Sequence, residues 1–300
     1  MYELKKVLVA TDGGERGACA VVTGVDLARR AGARLHVVSV ADMLLPTQYL
    51  RGESKQAIED VTLQSMRRIA EAQARQANAI NPSFHIISGT PAPTIAELAA
   101  QISADIIVLG AHRRPEIERI LFGSTAEREM RLAPCPVLAA AARCQAPFRR
   151  VLAAVDFSCR AHCVIEAAAA VARIDGSEFR ILHVSDPLTP LMMTIPRDEL
   201  EALARANRTT FEQLIRRNGN VQECQLVERS GYAGSEILRE ARDWGAHLVV
   251  VGSQGLGFFS RLFLGSTSSY VLRHGEVTTL VVPENEKQVR TAPHSDKDAA

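Results

Sequence analysis

Two short glycine-rich stretches are the part of this chain whose residue types and spacing could do chemistry: Gly252-Ser253-Gln254-Gly255, then a gap of nine residues, then Gly265-Ser266-Thr267-Ser268. Gly252 closes the apolar run His247-Leu248-Val249-Val250-Val251, which places it at the carboxyl end of a strand. Glycine at 252 and 255 lets backbone approach a ligand with no Cβ in the way. Gly265-Ser266-Thr267-Ser268 at a helix start offers N–H groups without intrahelical acceptors, hydroxyls and the positive end of the helix dipole, all suited to phosphate oxygens. Together the two stretches read as a cradle for nucleotide phosphates. The cradle is not a P-loop, because no lysine follows the glycine, and Gly255-Leu256-Gly257 lacks the third glycine of a dinucleotide fingerprint. A second apolar run, Val151-Leu152-Ala153-Ala154-Val155, ends in Asp156. Open parallel sheets bind ligands outside such strand ends, where the strand order reverses, so Asp156 and Gly252 are candidates for that point.

Plainer uses compete for the same residues. Asp12 and Asp156 could cap the helices that follow them, Gly252 and Gly255 could be turn glycines, and Ser266 could be an ordinary N-cap. His36 and His183 are read as one position in two copies, each inside an apolar strand, and are expected to be core histidines without a catalytic role. Cys159, His162 and Cys163 fall at i, i+3 and i+4 of a predicted helix, a face with three potential metal ligands, but no fourth is in sight and no metal site is assigned. No catalytic residue is assigned either. The segment 188–196 reads as an apolar flap, and Lys55, Arg67, Arg68 and Arg75, in the long helical segment 52–78, as a solvated face.

The elements that must position the cradle occur twice. Val7-Leu8-Val9-Ala10-Thr11-Asp12 returns at 151–156, and one offset of 142 residues separates Gly110 from Gly252 and Gly123 from Gly265. A fixed period means two copies of one unit. Strand signals fall near 6–11, 34–40, 84–88, 105–110 and 136–141, and again near 150–155, 179–184, 222–228, 247–252 and 277–282. In the first copy helical patterns lie near 15–32, 52–79, 93–103 and 123–132, and helical segments likewise separate the strands of the second. Near-continuous Val/Ile/Leu strands alternating with helices predict a parallel sheet covered on both faces, so each half is a doubly wound α/β domain. The last strand of each copy would be an apolar edge, and the two copies are expected to pack together there. The expected domains are 1–144 and 149–283, with a join around Gln145–Arg150 and a disordered polar tail at 284–300.

Composition narrows the classes. Lys plus Arg number 35 against 34 Asp plus Glu, which gives no field favouring nucleic acid or an anionic membrane. No apolar run reaches the length of a membrane span, and the first residues lack the pattern of a signal peptide, so a cytoplasmic protein is expected. Six cysteines with no C-x-x-C pair are expected to be reduced thiols.

The G-x-x-G, nine-residue gap, G-S/T pattern after a strand, with Asp156 ending the first strand of its copy and Leu182-His183-Val184 in the second, resembles the universal stress protein family, in its tandem two-domain form. The resemblance covers about residues 4–142 and 149–283. It implies an α/β fold of the adenine nucleotide alpha hydrolase type, with strand order 3-2-1-4-5 in each domain and the last strands paired as an intramolecular pseudo-dimer. It also implies ATP as the ligand, with a stress-response signalling role and an unidentified protein partner. By that resemblance Val155 and Asp156 meet the adenine and ribose side, Val184 packs on the base, and Val251 and Gly252 contact the ribose. Gly255, Gly265, Ser266, Thr267 and Ser268 hold the phosphates. Whether Mg²⁺ accompanies them, and whether the pseudo-dimer pairs again as a homodimer, stays open.

The first copy departs from the pattern, because Arg113 stands where the second glycine would be. Arginine there would either fill the pocket or hold a phosphate by its charge. The expected outcome is an empty, structural first domain, although Asp12, Val37, Gly110, Gly123 and Ser124 still match. No in-line base or phosphate-bridging lysine is apparent, so any ATP hydrolysis should be slow. Two other readings stand beside this one: a nucleotide-independent scaffold whose glycines only shape turns, and an adenylylating enzyme of a related type.

Overall fold

In the computed structural model of the chain, the residues described are 3–42, 53–111, 128, 130–141, 147–156, 161–185, 199, 209, 224–254 and 264–283. The first repeat supplies β1 (Lys6–Ala10), α1 (Glu15–Ala31), β2 (Arg34–Ala41), α2 (Glu53–Gln76), β3 (Ser83–Ser88), α3 (Pro91–Ile102), β4 (Ile106–Gly110) and β5 (Val137–Ala140). The second supplies β6 (Arg150–Val155), α4 (Ala161–Asp175), β7 (Glu178–Ser185), β8 (Cys224–Ser230), α5 (Ala233–Trp244), β9 (Leu248–Gly252), α6 (Ser266–His274) and β10 (Thr278–Val282).

The strands form one ten-stranded sheet in the order β3-β2-β1-β4-β5-β10-β9-β6-β7-β8. Within each repeat the order is the expected 3-2-1-4-5 and every pairing is parallel. The exception is the central pair, where β5 and β10 run antiparallel with Leu138 opposite Leu280. Those leucines are the same position in the two copies, so the pseudo-twofold axis passes between them. Val137 and Ala139 then face Val281 and Thr279, which are each other's counterparts exchanged. The apolar last strand of each copy thus covers the other, which removes two exposed edges.

Alternation along the strands divides the core into two layers. Val7 and Val9 pack with α1 on one face, together with α4, while Leu8 and Ile107 pack with α3 on the other, together with α5 and α6. The central strands β1, β4, β6 and β9 are buried almost throughout, which explains why they read as unbroken apolar runs. Gly32 and Gly176 end α1 and α4 in the left-handed region at φ 64° and 61°, where a side chain would be strained.

One expectation about cysteine is corrected. Cys19 is disulfide-bonded, whereas Cys135, Cys163 and Cys224 remain reduced. Helix α1 carries the Cys19 Sγ to 3.1 Å from the carbonyl oxygen of Ala141, a proximity across more than a hundred residues that spacing does not reveal. Most of the predicted helix 123–132, the flap 188–196 and the tail 284–300 lie outside the described residues.

Candidate functional site

Strands β6, β7 and β9 are neighbours in the second repeat, so their carboxyl ends form one surface. The order reverses between β6 and β9, which makes this the crevice where open α/β sheets take ligands. At its base Val155 is buried, and its carbonyl accepts the Nδ1–H of His183 at 3.1 Å. Asp156 and Val184 are half-buried beside it, and Val251 is buried beneath Gly252.

Two hydrogen bonds join the two glycine stretches, and a third ties the first of them to the end of β10. The Gly265 N–H donates to the Ser253 carbonyl at 2.7 Å, the Ser253 N–H donates to the Val282 carbonyl at 2.8 Å, and the Ser268 hydroxyl donates to the Gly252 carbonyl. The start of α6 is therefore tied to the end of β9. Gly265 is the N-cap of α6 and has no side chain to cap it, so the first-turn N–H groups of Ser266 and Thr267 have no intrahelical acceptor. Ser266 is exposed and Thr267 half-buried, whereas Ser268 is buried with its proton given to Gly252. The Ser268 hydroxyl thus positions the strand end, while its N–H, like those of Ser266 and Thr267, has no intrahelical acceptor. Gly255 lies outside the described residues.

The surroundings of Gly252 and Gly110 bear on whether each glycine is a turn residue. Its φ is not in the left-handed region at Gly252, and among the described residues a Cβ built on it would meet only the Gln254 carbonyl oxygen at 3.3 Å and the Val164 Cγ2 at 3.5 Å. The packing of the described residues barely requires glycine here. Its counterpart Gly110 is different, because a Cβ there would lie 2.4 Å from the Arg16 carbonyl oxygen. The first turn of α1 sits directly on the end of β4.

Beside it, the loop after β1 is held by a side chain of the first repeat itself. Gln73, reaching from α2 and buried, donates to the carbonyls of Gly13 and Gly14 at 3.0 and 3.2 Å and accepts the Thr11 hydroxyl proton at 2.7 Å. Asp12 accepts the Gly14 N–H at 2.9 Å in a turn of the Asx type ahead of α1, whose N-cap is Gly14 with no side-chain cap, so it does not cap the helix as weighed above. Sequence reasoning missed Gln73, which sits among the charged residues of a helix read as solvated. It also credited closure to Arg113, which lies outside the described residues together with Gly123 and Ser124.

Strand register corrects one equivalence. Lys6 pairs with Arg34 and Arg150 with Glu178, so the offset between β2 and β7 is 144 residues. The counterpart of Val184 is therefore the half-buried Val40, and Val37 is a fully buried mid-strand residue that cannot reach a ligand. Likewise His36 matches Arg180, not His183. His36 stacks on His85 with ring nitrogens 3.1 Å apart, and burial pushes both imidazoles below their usual range. Burial also lowers His183, partly offset by its bond to the Val155 carbonyl. The short apolar words around the two histidines suggested a match that the ladder does not keep. His162 Nε2 lies 3.3 Å from the Cys163 Sγ, and Cys159 is outside the described residues.

The chain matches the family model described as Universal stress protein family over residues 3–140 and 147–283. A universal stress protein of Mycobacterium tuberculosis is 26% identical over 300 residues, covering 92% of this chain and 99% of that protein. One from Methanocaldococcus jannaschii is 31% identical over 146 residues, 45% of this chain and 80% of that protein. Among solved structures, a universal stress protein from Archaeoglobus fulgidus has a TM-score of 0.72 at 23% identity, covering 93% of this chain and 98% of that one. That last likeness is one of fold.

Proposed function

The chain belongs to the universal stress protein family, and from that premise we propose that its second repeat binds ATP while its first repeat is a structural partner. One observation carries this reading: the bare backbone of Gly252, which the packing of the described residues barely requires, lies beside an uncapped helix start tied to the same strand end. Close approach of a ligand gives the glycine a use. Val155, Asp156 and Val184 take the base and ribose side, Val251 and Gly252 the ribose, and Gly255, Gly265, Ser266, Thr267 and the N–H of Ser268 the phosphates. Ser268 fixes the distance between the two halves of the cradle.

The residues present fit binding better than turnover. The N–H groups of an uncapped first turn hold phosphate oxygens without activating a nucleophile. Bound there, ATP supplies a polyphosphate charge and an occupied state whose surface differs from the empty one. The cellular role follows as signalling in a stress response, in which a protein partner distinguishes those states. Among the described residues no helix is long and apolar enough to cross a membrane, and the balanced charge suits a cytoplasmic setting.

Nucleotide content tests the reading. Freshly purified protein is denatured, released nucleotide is identified by mass, and stripped protein is titrated with ATP beside Gly255→Arg. The expected result is one ATP per chain, lost in the variant. Two per chain would overturn the closed first repeat, and no binding would overturn the nucleotide reading and leave a scaffold.

A further inference from the structure

The repeats meet again on the α1 and α4 side of the sheet, where both helices share one core layer. The offset of 144 residues relates their ends, as Gly32 and Gly176 after the two helices show. Twofold symmetry would repeat every contact on the two sides of the axis. Here the sides differ.

On one side Phe148 is 1% exposed, and the Arg30 guanidinium lies 5.8 Å from its ring centroid. Arg30 pairs with the fully buried carboxylate of Asp175, which also accepts the Phe148 N–H at 2.8 Å. On the other side the counterparts are Leu4 for Phe148, Ile174 for Arg30 and Ala31 for Asp175. An aromatic ring and an ion pair are replaced by smaller, uncharged groups. What remains is a crevice of about 480 Å³, with Leu4 and Ala31 of the first repeat and Ala170 and Ile174 of the second as its apolar lining. Lys5, Arg34 and Arg173 line it as well, against a single acid, Glu3. Lys5 leans on Glu3 at 3.3 Å, but neither Arg34 nor Arg173 has a carboxylate partner among the described residues.

We propose that this crevice binds a small organic anion with an apolar body, of the class of a medium-chain carboxylate. Its volume falls in the range of small-molecule sites, roughly 300–1,000 Å³. The hydrocarbon covers the apolar lining and the carboxylate takes the unpaired guanidiniums, whose planar forks match it. Arg34 is the first residue of β2, so the crevice lies by the amino end of that strand and is separate from the nucleotide cleft, which uses the carboxyl ends. Because each repeat supplies part of the lining, the ligand would bridge them.

The test is calorimetric titration of the full chain with octanoate, with and without ATP. The expected result is one octanoate per chain, unaffected by ATP. Arg173→Ala should weaken binding at least tenfold, and Leu4→Phe, which fills the crevice as Phe148 fills its counterpart, should abolish it without lowering the melting temperature. Should Leu4→Phe fail to fold, Ala170→Leu fills the same space from the other repeat. No saturable binding to wild type, displacement by ATP, or undiminished binding to the filled variant would overturn the proposal.

Discussion

Alanine at two equivalent glycines should have opposite consequences. At Gly252 the new Cβ meets an oxygen at 3.3 Å and a methyl at 3.5 Å, contacts that a few tenths of an ångström relieve. Replacing glycine where the backbone is not left-handed also reduces the entropy of the unfolded chain, by about 0.4–1 kcal/mol. The two effects offset, so Gly252→Ala without nucleotide should melt within about 2 °C of wild type, at roughly 2–4 °C per kcal/mol for a domain of this size. At Gly110 the Cβ would sit 2.4 Å from the Arg16 carbonyl oxygen and 2.7 Å from its carbon, so backbone must move. Overpacking of this kind costs about 1–3 kcal/mol, and the middle of that range lowers the melting temperature by roughly 4–8 °C. Addition of ATP at about 100 times its dissociation constant stabilises a binding protein by about 2.7 kcal/mol, or roughly 5–10 °C. Differential scanning fluorimetry with and without ATP reads both effects. Gly110→Ala should melt early and keep its ATP shift; Gly252→Ala should melt normally and lose it. Equal destabilisation of the two apo variants would refute the argument that Gly252 is reserved for a ligand, as would an ATP shift retained in Gly252→Ala.

Removal of one partner from the Arg30–Asp175 pair leaves the fully buried Asp175 uncompensated, so Arg30→Ala should lose about 3–5 kcal/mol in urea unfolding. The double change Arg30→Ile with Asp175→Ala copies the apolar counterpart and should recover most of it. Four histidines, His36, His85, His183 and His247, are held below the usual imidazole range, first of all by burial. The unfolded chain then binds more protons, so stability should be full above about pH 6.5 and fall as the pH drops below it toward the depressed folded values. Urea midpoints measured from pH 7.5 to 5 check that slope, which His183→Asn should reduce. Burial pushes the Cys224 thiol up to about 11. At pH 8 it should alkylate slowly with iodoacetamide in folded protein and rapidly in urea, read by peptide mass spectrometry.

Much of the fold was readable because parallel strands covered on both faces must be apolar along their whole length. Val7–Val9, Ile106–Leu109, Val151–Val155 and Leu248–Val251 announce themselves in this way, and repetition of the set announces two copies. That the two glycine stretches of the second repeat meet was readable for a similar reason, since one marks a strand end and the other a helix start. Register was not readable. His36 and His183 sit in similar words, but hydrogen-bonded neighbours assign them to different rungs, and a side chain's rung depends on strands far away in the chain.

The sequence by itself determined the duplication, the strand and helix order, the apolar last strands that seek each other, and the glycine pattern that sets the second repeat apart. These depend on periodicity and residue type, which are local properties. Only the tertiary structure decided that Arg16 packs on the end of β4 and Gln73 on the loop after β1, that Ser268 braces the end of β9, and that Phe148 with Arg30 and Asp175 fills one inter-repeat crevice and leaves the other open. Each of those outcomes depends on distances of a few ångströms between residues dozens to more than a hundred positions apart, or on a hydroxyl turned inward. Packing against the sheet sets such distances, and no spacing along the chain encodes them.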